Sequence, residues 1–313
     1  MVRYGVAALC AAIVVVSSSA SARDVVPVMF PAYETVPKLD NYASVDTYRA
    51  AVADTRFVME QLTYDSDGLK VHAYLYRPAT PSGRSPVVVF NRGSHTWPAF
   101  SAELVAMANR LASAGYVVVA PMYRGSGGAP GRDELGGADL GDLFALLPVI
   151  RALPYANPDE LYLYGESRGG MMVYQALRDG FPAKAAAVVG AFSDLDRMLA
   201  DSRWQQAGAS IWPDLPTNRE AIVARRSAVR WPEKLTVPIL MLHGAKDRAV
   251  DPGHSFALAQ KLAALGADYE LHVVAGGDHT LSRRASDRDR WVVDWFRAHA
   301  KTLPTTKPAP TGE

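Results

Sequence analysis

Residues 161–170, LYLYGESRGG, decide the fold, because here a strand-forming run ends on a serine that glycines flank. Gly165 and Gly169 lack side chains where a tight strand-to-helix turn would crowd them, so Ser167 can adopt a strained conformation that presents its hydroxyl. The residues that follow, MMVYQAL, predict a helix whose N-terminal amides suit a developing negative charge. The stretch therefore predicts a reactive serine at a strand end, with a glycine-rich packing turn as the alternative.

Strand and helix patterns alternate on both sides of this stretch. SPVVVFNRG and YVVVAPMYR are apolar runs typical of strands buried on both faces, and LKVHAYLYRP alternates as a half-buried strand. The run AELVAMANRLASAG has the apolar spacing of a helix and stops at Gly115. Further strands are predicted at AKAAAVVGAF, VPILMLHG and YELHVVAG, and further helices at about 141–152, 255–265 and 287–299. This order predicts an α/β fold, a mostly parallel sheet with helices on both faces.

The remaining segments are assigned from composition. Residues 194–235 form a polar stretch with Trp and Arg, which predicts a helical insertion over the sheet edge, a place where insertions often cover a site. Residues 23–60 contain three prolines and no sustained strand pattern, so they predict a surface arm with a short helix near 45–53. The catalytic domain is assigned to residues 61–302, and the Pro- and Thr-rich residues 303–313 predict a disordered tail.

The first 22 residues have the composition of an export signal. Arg3 precedes a short apolar run, and the small residues Ala20 and Ala22 place the cut before Arg23. An uncleaved membrane anchor is the alternative, but the apolar run is too short to span a bilayer. Cys10 is the only cysteine, so the mature chain is expected to have no disulfide and no thiol nucleophile. We therefore expect a periplasmic or secreted protein without stable membrane insertion once the signal is removed.

Charge and composition exclude several classes of function. The 313 residues include 33 Lys and Arg against 32 Asp and Glu, so no overall field favours nucleic acid as a partner. No group of His, Cys, Asp and Glu has metal-ligand spacing, and no glycine-rich phosphate loop follows a predicted strand. We expect neither a cofactor nor a metal, and the oligomeric state is not determined by these patterns.

A serine hydroxyl needs a base to take its proton, and histidine is the natural candidate. The histidines are His72, His95, His243, His254, His272, His279 and His299. Only His95, His243 and His279 lie at or beyond predicted strand ends. His279 follows the last predicted strand, which delivers it to the same edge of the sheet as Ser167. We predict that His279 is the base, with a surface loop histidine as the alternative.

A carboxylate is needed to orient the imidazole and to stabilise the imidazolium. Asp247 follows the penultimate predicted strand and is preferred over Asp251, whereas Asp278 is too close in the chain to His279 to reach its ring. The order Ser167, Asp247, His279 is that of α/β-hydrolases, whereas chymotrypsin-like and subtilisin-like enzymes use other orders.

Several runs also resemble the catalytic domain of prolyl-oligopeptidase-like serine hydrolases. They are YRGSGGAPGRDELGGADLGD, LPYANPDELYLYGESRGGMM, LMLHGAKDRAV and GGDHTL, within about residues 66–300. The resemblance implies that Ser167 is the nucleophile, Asp247 the acid and His279 the base. Peptidases of this family usually carry a β-propeller, for which a signal and a short arm leave no room. The family's His-Gly-Gly-Pro or Tyr-containing loop reads Asn91-Arg92-Gly93-Ser94 here.

Acyl transfer needs two donors for the tetrahedral oxyanion. The backbone N–H of Arg168 is the first candidate, since it follows the nucleophile directly. The second candidate is in the loop Asn91, Arg92 and Gly93, through either a backbone N–H or the Asn91 amide. The sequence does not distinguish these two possibilities.

Other charged residues near these motifs have structural interpretations. Glu166 and Arg168 flank the serine and are predicted to pair with neighbours such as Arg124 or Asp139. The turn at 123–126 (YRGS) is equally compatible with a structural role and a substrate contact. Arg225 and Arg226 are compatible with holding a substrate carboxylate, although exposed helix charges usually only meet water.

These patterns together predict an exported α/β-hydrolase that forms an acyl-enzyme on Ser167. The resemblance favours a small peptide as substrate and therefore a peptidase, with a carboxylic ester hydrolase as the alternative. A catalytically silent binding module on the same scaffold is the third hypothesis, since a fold does not guarantee a function. Such modules usually lack one member of the triad.

Overall fold

The computed structural model describes residues 25–36, 39, 42–94 and 103–300. The predicted signal at 1–22, His95 and the predicted tail at 303–313 lie outside the described residues. Among the helices in this described part, none has the length and apolar character that crossing a lipid bilayer requires.

One sheet organises the described residues. Its strands are β1 (Val25–Pro27), β2 (Phe57–Ser66), β3 (Leu69–Pro78), β4 (Ser85–Asn91), β5 (Val117–Pro121), β6 (Ala156–Glu166), β7 (Ala185–Val189), β8 (Ile239–Gly244) and β9 (Tyr269–Val274). Their order across the sheet is β1-β2-β3-β5-β4-β6-β7-β8-β9. Pairs from β5 through β9 are parallel, and β1, β2 and β3 are joined by antiparallel pairs. The predicted mostly parallel sheet is therefore confirmed.

Helices cover both faces of the sheet. They are α1 (Val45–Val52), α2 (Glu103–Ser113), α3 (Leu140–Phe144), α4 (Leu146–Arg151), α5 (Arg168–Arg178), α6 (Leu195–Leu199), α7 (Ser202–Ile211), α8 (Leu215–Arg226), α9 (Gly253–Ala264) and α10 (Ala285–Ala298). One face packs against α1, α2 and α10, and the other against α3 to α9. In β4, Val87 and Val89 enter one core while Val88 and Phe90 enter the other. This two-sided burial is why β4 is a continuous apolar run.

The segment 23–60 is more than the predicted surface arm. It contains α1, close to the predicted helix at 45–53, but also β1 and the start of β2. The expectation that it lacks strand structure is wrong. Every side chain of β1 is exposed, so its pairing with β2 depends on the backbone and leaves no apolar pattern. In β2, polar residues such as Glu60 and Gln61 interrupt the apolar positions, so the sequence lacks the regular pattern from which a strand is predicted.

Three helices, α6 to α8, lie between β7 and β8, within the predicted insertion 194–235. Two of them begin at an aspartate whose side chain accepts backbone N–H groups of the first turn. Asp194 caps α6 and Asp201 caps α7. The side-chain caps stabilise α6 and α7, and the apolar residues of both helices pack onto the same face of the sheet as α5.

Buried His254, in the first turn of α9, is expected to make stability depend on pH. It is 1% exposed, and burial together with the positive charge of Arg197 lowers its pKa from 6.5 to about 4. Folding therefore favours the neutral ring, and the stability this contributes is complete above the unfolded pKa and lost as pH falls from 6.5 towards 4.

Denaturant unfolding of wild type and His254→Gln should reveal this dependence. Between pH 6.5 and about pH 4 the free energy of unfolding of the wild type should fall by about 3 kcal/mol relative to that of the variant. This figure follows from about 1.36 kcal/mol per pKa unit. Above about pH 7.5 the difference between the two proteins should be constant, because both are then neutral at this position. A difference that is independent of pH down to 4 would contradict the assignment.

Candidate active site

Ser167 stands at the turn between β6 and α5. Its backbone has φ 54° and ψ −118°, a conformation that side chains rarely adopt, and its N–H donates to the Val189 carbonyl at 2.8 Å. The residue is half-buried and lines a cavity of about 490 Å³. The predicted strained serine at the carboxyl end of a strand is thus what the structure contains.

The two glycines around Ser167 are required by close backbone approach. A Cβ atom at Gly169 would lie 1.8 Å from the Asn91 carbonyl oxygen at the end of β4, and one at Gly165 would lie 2.4 Å from the Gly169 carbonyl oxygen. Both distances are far shorter than a van der Waals contact, and both neighbouring atoms belong to the backbone, so they cannot rotate away. The turn therefore excludes any side chain at these positions.

Gly169→Ala is expected to destabilise the fold by about 3 kcal/mol or more, because overpacking against backbone forces β4 and α5 apart. Denaturant unfolding measures the change. The matched control is Gly83→Ala, since a Cβ there has no heavy atom within 4 Å. A stability loss equal to the control's would mean that the turn relaxes freely.

Asp247 is held in the loop after β8. Its side chain is fully buried, and its Oδ1 accepts the N–H groups of Ala249 at 2.8 Å and Val250 at 2.9 Å. Burial acts to raise the pKa of this carboxyl, but hydrogen bonds from His243 and His279 outweigh it and hold the pKa well below its usual range. Asp247 is therefore a carboxylate at neutral pH.

His279 lies in the loop after β9 and contacts this carboxylate directly. Its Nδ1 is 2.7 Å from Asp247 Oδ2, and its side chain is 26% exposed. With an ionised acceptor at Nδ1, that nitrogen carries the hydrogen and Nε2 is left with a lone pair. The pair therefore provides an oriented imidazole whose second nitrogen can act as a base.

The alternative acids are engaged elsewhere. Asp251 pairs with Arg197 at 2.5 Å on the surface, and Asp278 accepts the backbone N–H of Ser282 at 2.8 Å and also contacts its hydroxyl. The structure thus brings Asp247, and neither alternative, to the ring of His279.

The end of β7 brings the serine and the histidine to the same place. Val189, its last residue, accepts the N–H of Ser167. Gly190 follows directly, and a Cβ there would lie 2.9 Å from His279 Nδ1, so the imidazole packs against this backbone. Both side chains line one cavity of about 490 Å³. Three loops after β6, β8 and β9 therefore converge at one edge of the sheet.

The wall of this cavity is largely apolar. Its apolar lining includes Phe90, Leu104, Leu135, Trp204, Ala207 and Ile211. The last three come from α7, so the insertion contributes directly to the cavity. Sequence reasoning placed this insertion near the site but did not identify these residues. The helical spacing of apolar residues in the sequence shows that α7 has an apolar face. It does not show which part of the protein that face contacts.

The Asn91 side chain does not face the cavity. Its Nδ2 donates to the carbonyls of Val89 at 3.2 Å and Tyr164 at 3.3 Å, and its Oδ1 accepts the Tyr123 hydroxyl at 2.7 Å. The amide is therefore occupied in the core, contrary to one of the two predicted options for an oxyanion donor. Arg92 and Gly93, by contrast, line the cavity, and a Cβ at Gly93 would lie 3.4 Å from Ser167 Cβ.

Arg168 contributes a backbone amide at the start of α5, while its guanidinium is buried away from solvent. The guanidinium contacts Asp133 at 2.7 Å and Asp139 at 2.6 Å, and it stacks 4.4 Å from the centre of the Tyr123 ring. The predicted partner Asp139 is confirmed, whereas Arg124 pairs instead with Asp142 at 2.6 Å. Arg92, 3.5 Å from Asp133, supplies a second positive charge against the two carboxylates, so the cluster stabilises the turn rather than presenting charge to a substrate.

Glu166 also lines the cavity, and its partner is Arg288 of α10 at 2.9 Å. Burial raises the pKa of Glu166, although the Arg288 charge opposes this. Glu166 is ion-paired as predicted, but its partner is Arg288 and not the predicted Arg124. Arg288 lies 122 positions later in the chain. Only the packing of α10 over β6 brings the two residues together.

The turn at 123–126 and the two arginines of α8 have structural roles. Tyr123 is fully buried, and Arg226 is 4% exposed, with its Nε donating to the Leu135 carbonyl at 2.7 Å. Arg225 donates to the carbonyls of Gly136 at 3.1 Å and Gly137 at 3.1 Å. The expectation of a solvent-facing charge is therefore wrong for Arg226, whereas Arg225 is exposed although its guanidinium also donates to these carbonyls. Both hold the 134–137 loop beneath the site.

Comparisons with known proteins show what this chain is similar to. The sequence model of the Prolyl oligopeptidase family matches residues 98–302. YtmA of Bacillus subtilis, described as an uncharacterized peptidase, is 29% identical over 75% of this chain and 92% of its own length. A putative carboxymethylenebutenolidase of Yersinia pestis is 24% identical over 76% of this chain and 88% of its own length.

A solved puromycin-hydrolyzing peptidase of Mycobacterium tuberculosis has the same fold. It superposes with a TM-score of 0.70 at 24% identity and covers 81% of this chain. The matched part is 41% of that peptidase, so this chain spans about two fifths of its length. At this level of identity the likeness establishes the α/β-hydrolase architecture.

Proposed function

Because this chain belongs to the prolyl oligopeptidase family, a family of serine hydrolases of peptidase type, we propose that it cleaves small peptides through a triad of Ser167, His279 and Asp247. The observation that carries the proposal is the 2.7 Å hydrogen bond between His279 and the buried Asp247, at the cavity that Ser167 lines. A silent binding module has no need of a strained serine beside an oriented imidazole.

Acylation begins when His279 Nε2 takes the proton of Ser167 Oγ and the oxygen attacks the carbonyl carbon of the substrate. The imidazolium that forms is stabilised by the Asp247 carboxylate. It then gives its proton to the leaving amine, the C–N bond breaks, and an acyl-serine is left. Hydrolysis repeats these steps with water as the nucleophile and returns the proton to Ser167.

The tetrahedral intermediate places negative charge on the former carbonyl oxygen. The backbone N–H of Arg168, at the N-terminus of α5, is the first donor to this oxygen, and the helix dipole supports it. The second donor is a backbone N–H of the Arg92–Gly93 loop, because the Asn91 amide is occupied elsewhere.

The cavity supports a substrate with an apolar, uncharged group beside the scissile bond. Trp204, Ala207 and Ile211 offer apolar contacts. Glu166 and Arg168 at the wall are already paired, so neither supplies a free charge for a charged side chain. Burying an unpaired charge among apolar groups is unfavourable.

A carboxylic ester hydrolase is the second candidate. Esters use the same nucleophile, base and oxyanion donors, and they have a better leaving group than amides. The similarity to a putative carboxymethylenebutenolidase over 88% of that protein's length favours keeping this candidate.

Labelling tests the proposed nucleophile. A fluorophosphonate should modify the native protein at one site, which peptide mapping should place at Ser167, because only an activated serine attacks the phosphorus. The same protein, unfolded by heat, is the control and should not be labelled. Labelling at another serine, or no labelling of folded protein, would defeat the proposed function.

A substrate panel separates the two candidates. Matched amides and esters should be compared, with phenylalanine, glutamate or lysine next to the scissile bond. Turnover of phenylalanine amides supports the peptidase, and turnover of esters alone identifies the ester hydrolase. A preference for glutamate or lysine would refute the proposed apolar substrate group.

We also propose export of the protein by its first 22 residues, on the basis of their signal-like composition. N-terminal sequencing of protein recovered outside the cytoplasm should begin at Arg23. A chain that stays in the cytoplasm with its N-terminus intact would disprove export without affecting the catalytic proposal.

A further inference from the structure

A second histidine contacts the carboxylate of Asp247. His243, near the end of β8, is fully buried, and its Nε2 lies 3.2 Å from Asp247 Oδ2. The same oxygen accepts the Nδ1 hydrogen of His279 at 2.7 Å. Asp247 Oδ2 is therefore shared by two imidazoles, of which only His279 lines the cavity.

The neighbours of His243 determine where its hydrogen is. Its Nε2 is also 3.0 Å from the carbonyl oxygen of Val250, and both of these neighbours accept hydrogen bonds. Nε2 must therefore carry the hydrogen. Nδ1 lies 2.7 Å from the hydroxyl of Ser255 in α9, which can donate to it. The neutral ring satisfies all of these groups, so His243 has one tautomer and one orientation.

The result is a continuous chain of polar contacts from α9 to the cavity, in which the Nε2 hydrogen of His243 is shared between the Val250 carbonyl and Asp247 Oδ2. It runs from the Ser255 hydroxyl through His243 and Asp247 to His279. The Asp247 carboxylate receives backbone N–H groups at one oxygen and imidazole N–H groups at the other, which leaves it no freedom to rotate. Such buried polar networks are rigid when every member is satisfied.

We propose that His243 is a positioning residue, a second donor to Asp247 that fixes the carboxylate and draws part of its negative charge away from His279. The proposal rests on the triad proposed above. Without this donor, more of the charge on Asp247 faces His279 and favours the protonated imidazole, which cannot accept the serine proton. His243 does not touch the cavity, so substrate binding should be little affected.

Other ionisable groups act on the same loop and must be kept constant. His254 of α9 interacts electrostatically with His243 and Asp247, and also with Arg197 and Asp251, which pair with each other. Glu166 and its partner Arg288 lie beyond His279 at the cavity. None of these is changed in the variants that follow.

The test compares His243→Leu, which removes the donor, with His243→Gln, whose amide can place an N–H near the same oxygen. Turnover and its pH profile are measured per active site, counted by fluorophosphonate titration. The leucine variant should lose about 10- to 100-fold in kcat at an almost unchanged KM. The acidic limb of kcat/KM should move up by about half a pH unit or more. The glutamine variant should recover most of the lost kcat, and its acidic limb should lie close to that of the wild type.

Ser255→Ala provides a milder variant if the leucine protein does not fold. It removes the hydrogen-bond donor to Nδ1 and so loosens the orientation of the His243 ring, and it should move the acidic limb in the same direction by a smaller amount. Thermal unfolding of each variant separates stability from catalysis.

Three outcomes overturn the inference. In the first, His243→Leu melts at a lower temperature but keeps wild-type kcat and the wild-type acidic limb. In the second, glutamine is as impaired as leucine, so the donor is not what matters. In the third, the leucine variant does not fold and the folded Ser255→Ala variant keeps the wild-type acidic limb. The triad itself fails separately, if the wild type is not labelled at Ser167.

Discussion

Replacing Ser167 with alanine is expected to lower kcat by about six orders of magnitude, which is the size of effect seen when the nucleophile of a catalytic triad is removed. The hydroxyl supplies the atom that bonds to the substrate, and no cysteine in the described residues can replace it. Alanine tolerates the strained backbone at least as well as serine does, so the fold should survive. Turnover of the best substrate and fluorophosphonate labelling measure the effect.

Ser210→Ala is the matched control for this change. Ser210 lines the same cavity but lies on α7, away from the strand ends, and it is exposed. We expect this variant to keep kcat within about twofold of the wild type, as for surface substitutions away from special features. Loss of activity in Ser210→Ala, with activity retained in Ser167→Ala, would overturn the assignment of the nucleophile.

Asp247→Asn is expected to lower kcat by about four orders of magnitude, because an amide at this position favours the wrong tautomer of His279. Both oxygens of Asp247 accept hydrogen bonds, so the NH2 group of asparagine must face donors at one of them. If it faces His279, Nδ1 becomes the acceptor and Nε2 carries the hydrogen. The base can then no longer take the serine proton. Steady-state kinetics and thermal unfolding should be measured together.

Asp251→Asn is the control for Asp247→Asn. Asp251 is the other carboxylate compatible with the sequence, but it is 62% exposed and pairs with Arg197. Exposed pairs of this kind contribute at most about 1 kcal/mol to stability, so this variant should be nearly normal in activity and stability. Loss of turnover in Asp251→Asn, with Asp247→Asn active, would reverse the two roles.

Sequence position predicted His279 as the base but gave no role to His243, although the two histidines contact the same carboxylate. Both His243 and His279 lie at ends of neighbouring parallel strands, and both contact Asp247 Oδ2. They differ in environment, since His243 is fully buried and His279 is partly exposed in the cavity. The same side chain can therefore serve as base in one position and as support in the other.

Some features of the site could be predicted from sequence because they are local. The glycines around Ser167 indicate a strand-to-helix turn, and the apolar runs of β4 to β8 indicate strands that are buried on both faces. Parallel strands place their carboxyl ends at one edge, so residues just after β6, β8 and β9 were expected to meet. No contact needs to be known for these inferences.

Other features depend on contacts between distant segments and leave no local pattern. The Asn91 amide turned out to bind core carbonyls, although the loop sequence allowed it to face the site. The Glu166–Arg288 pair and the α7 residues of the cavity likewise follow from how helices dock. The edge strand β1 was hidden because it pairs through backbone atoms while its side chains face solvent.

The sequence by itself thus determined the α/β class, the strand ends and the residues that are brought to one rim, since hydrophobic periodicity and turn chemistry act within short segments. Only the tertiary structure decided which carboxylate meets His279, where Asn91 points and that His243 supports Asp247. These outcomes depend on side-chain directions and distances between segments far apart in the chain, which packing of the helices on the sheet determines and no local pattern encodes.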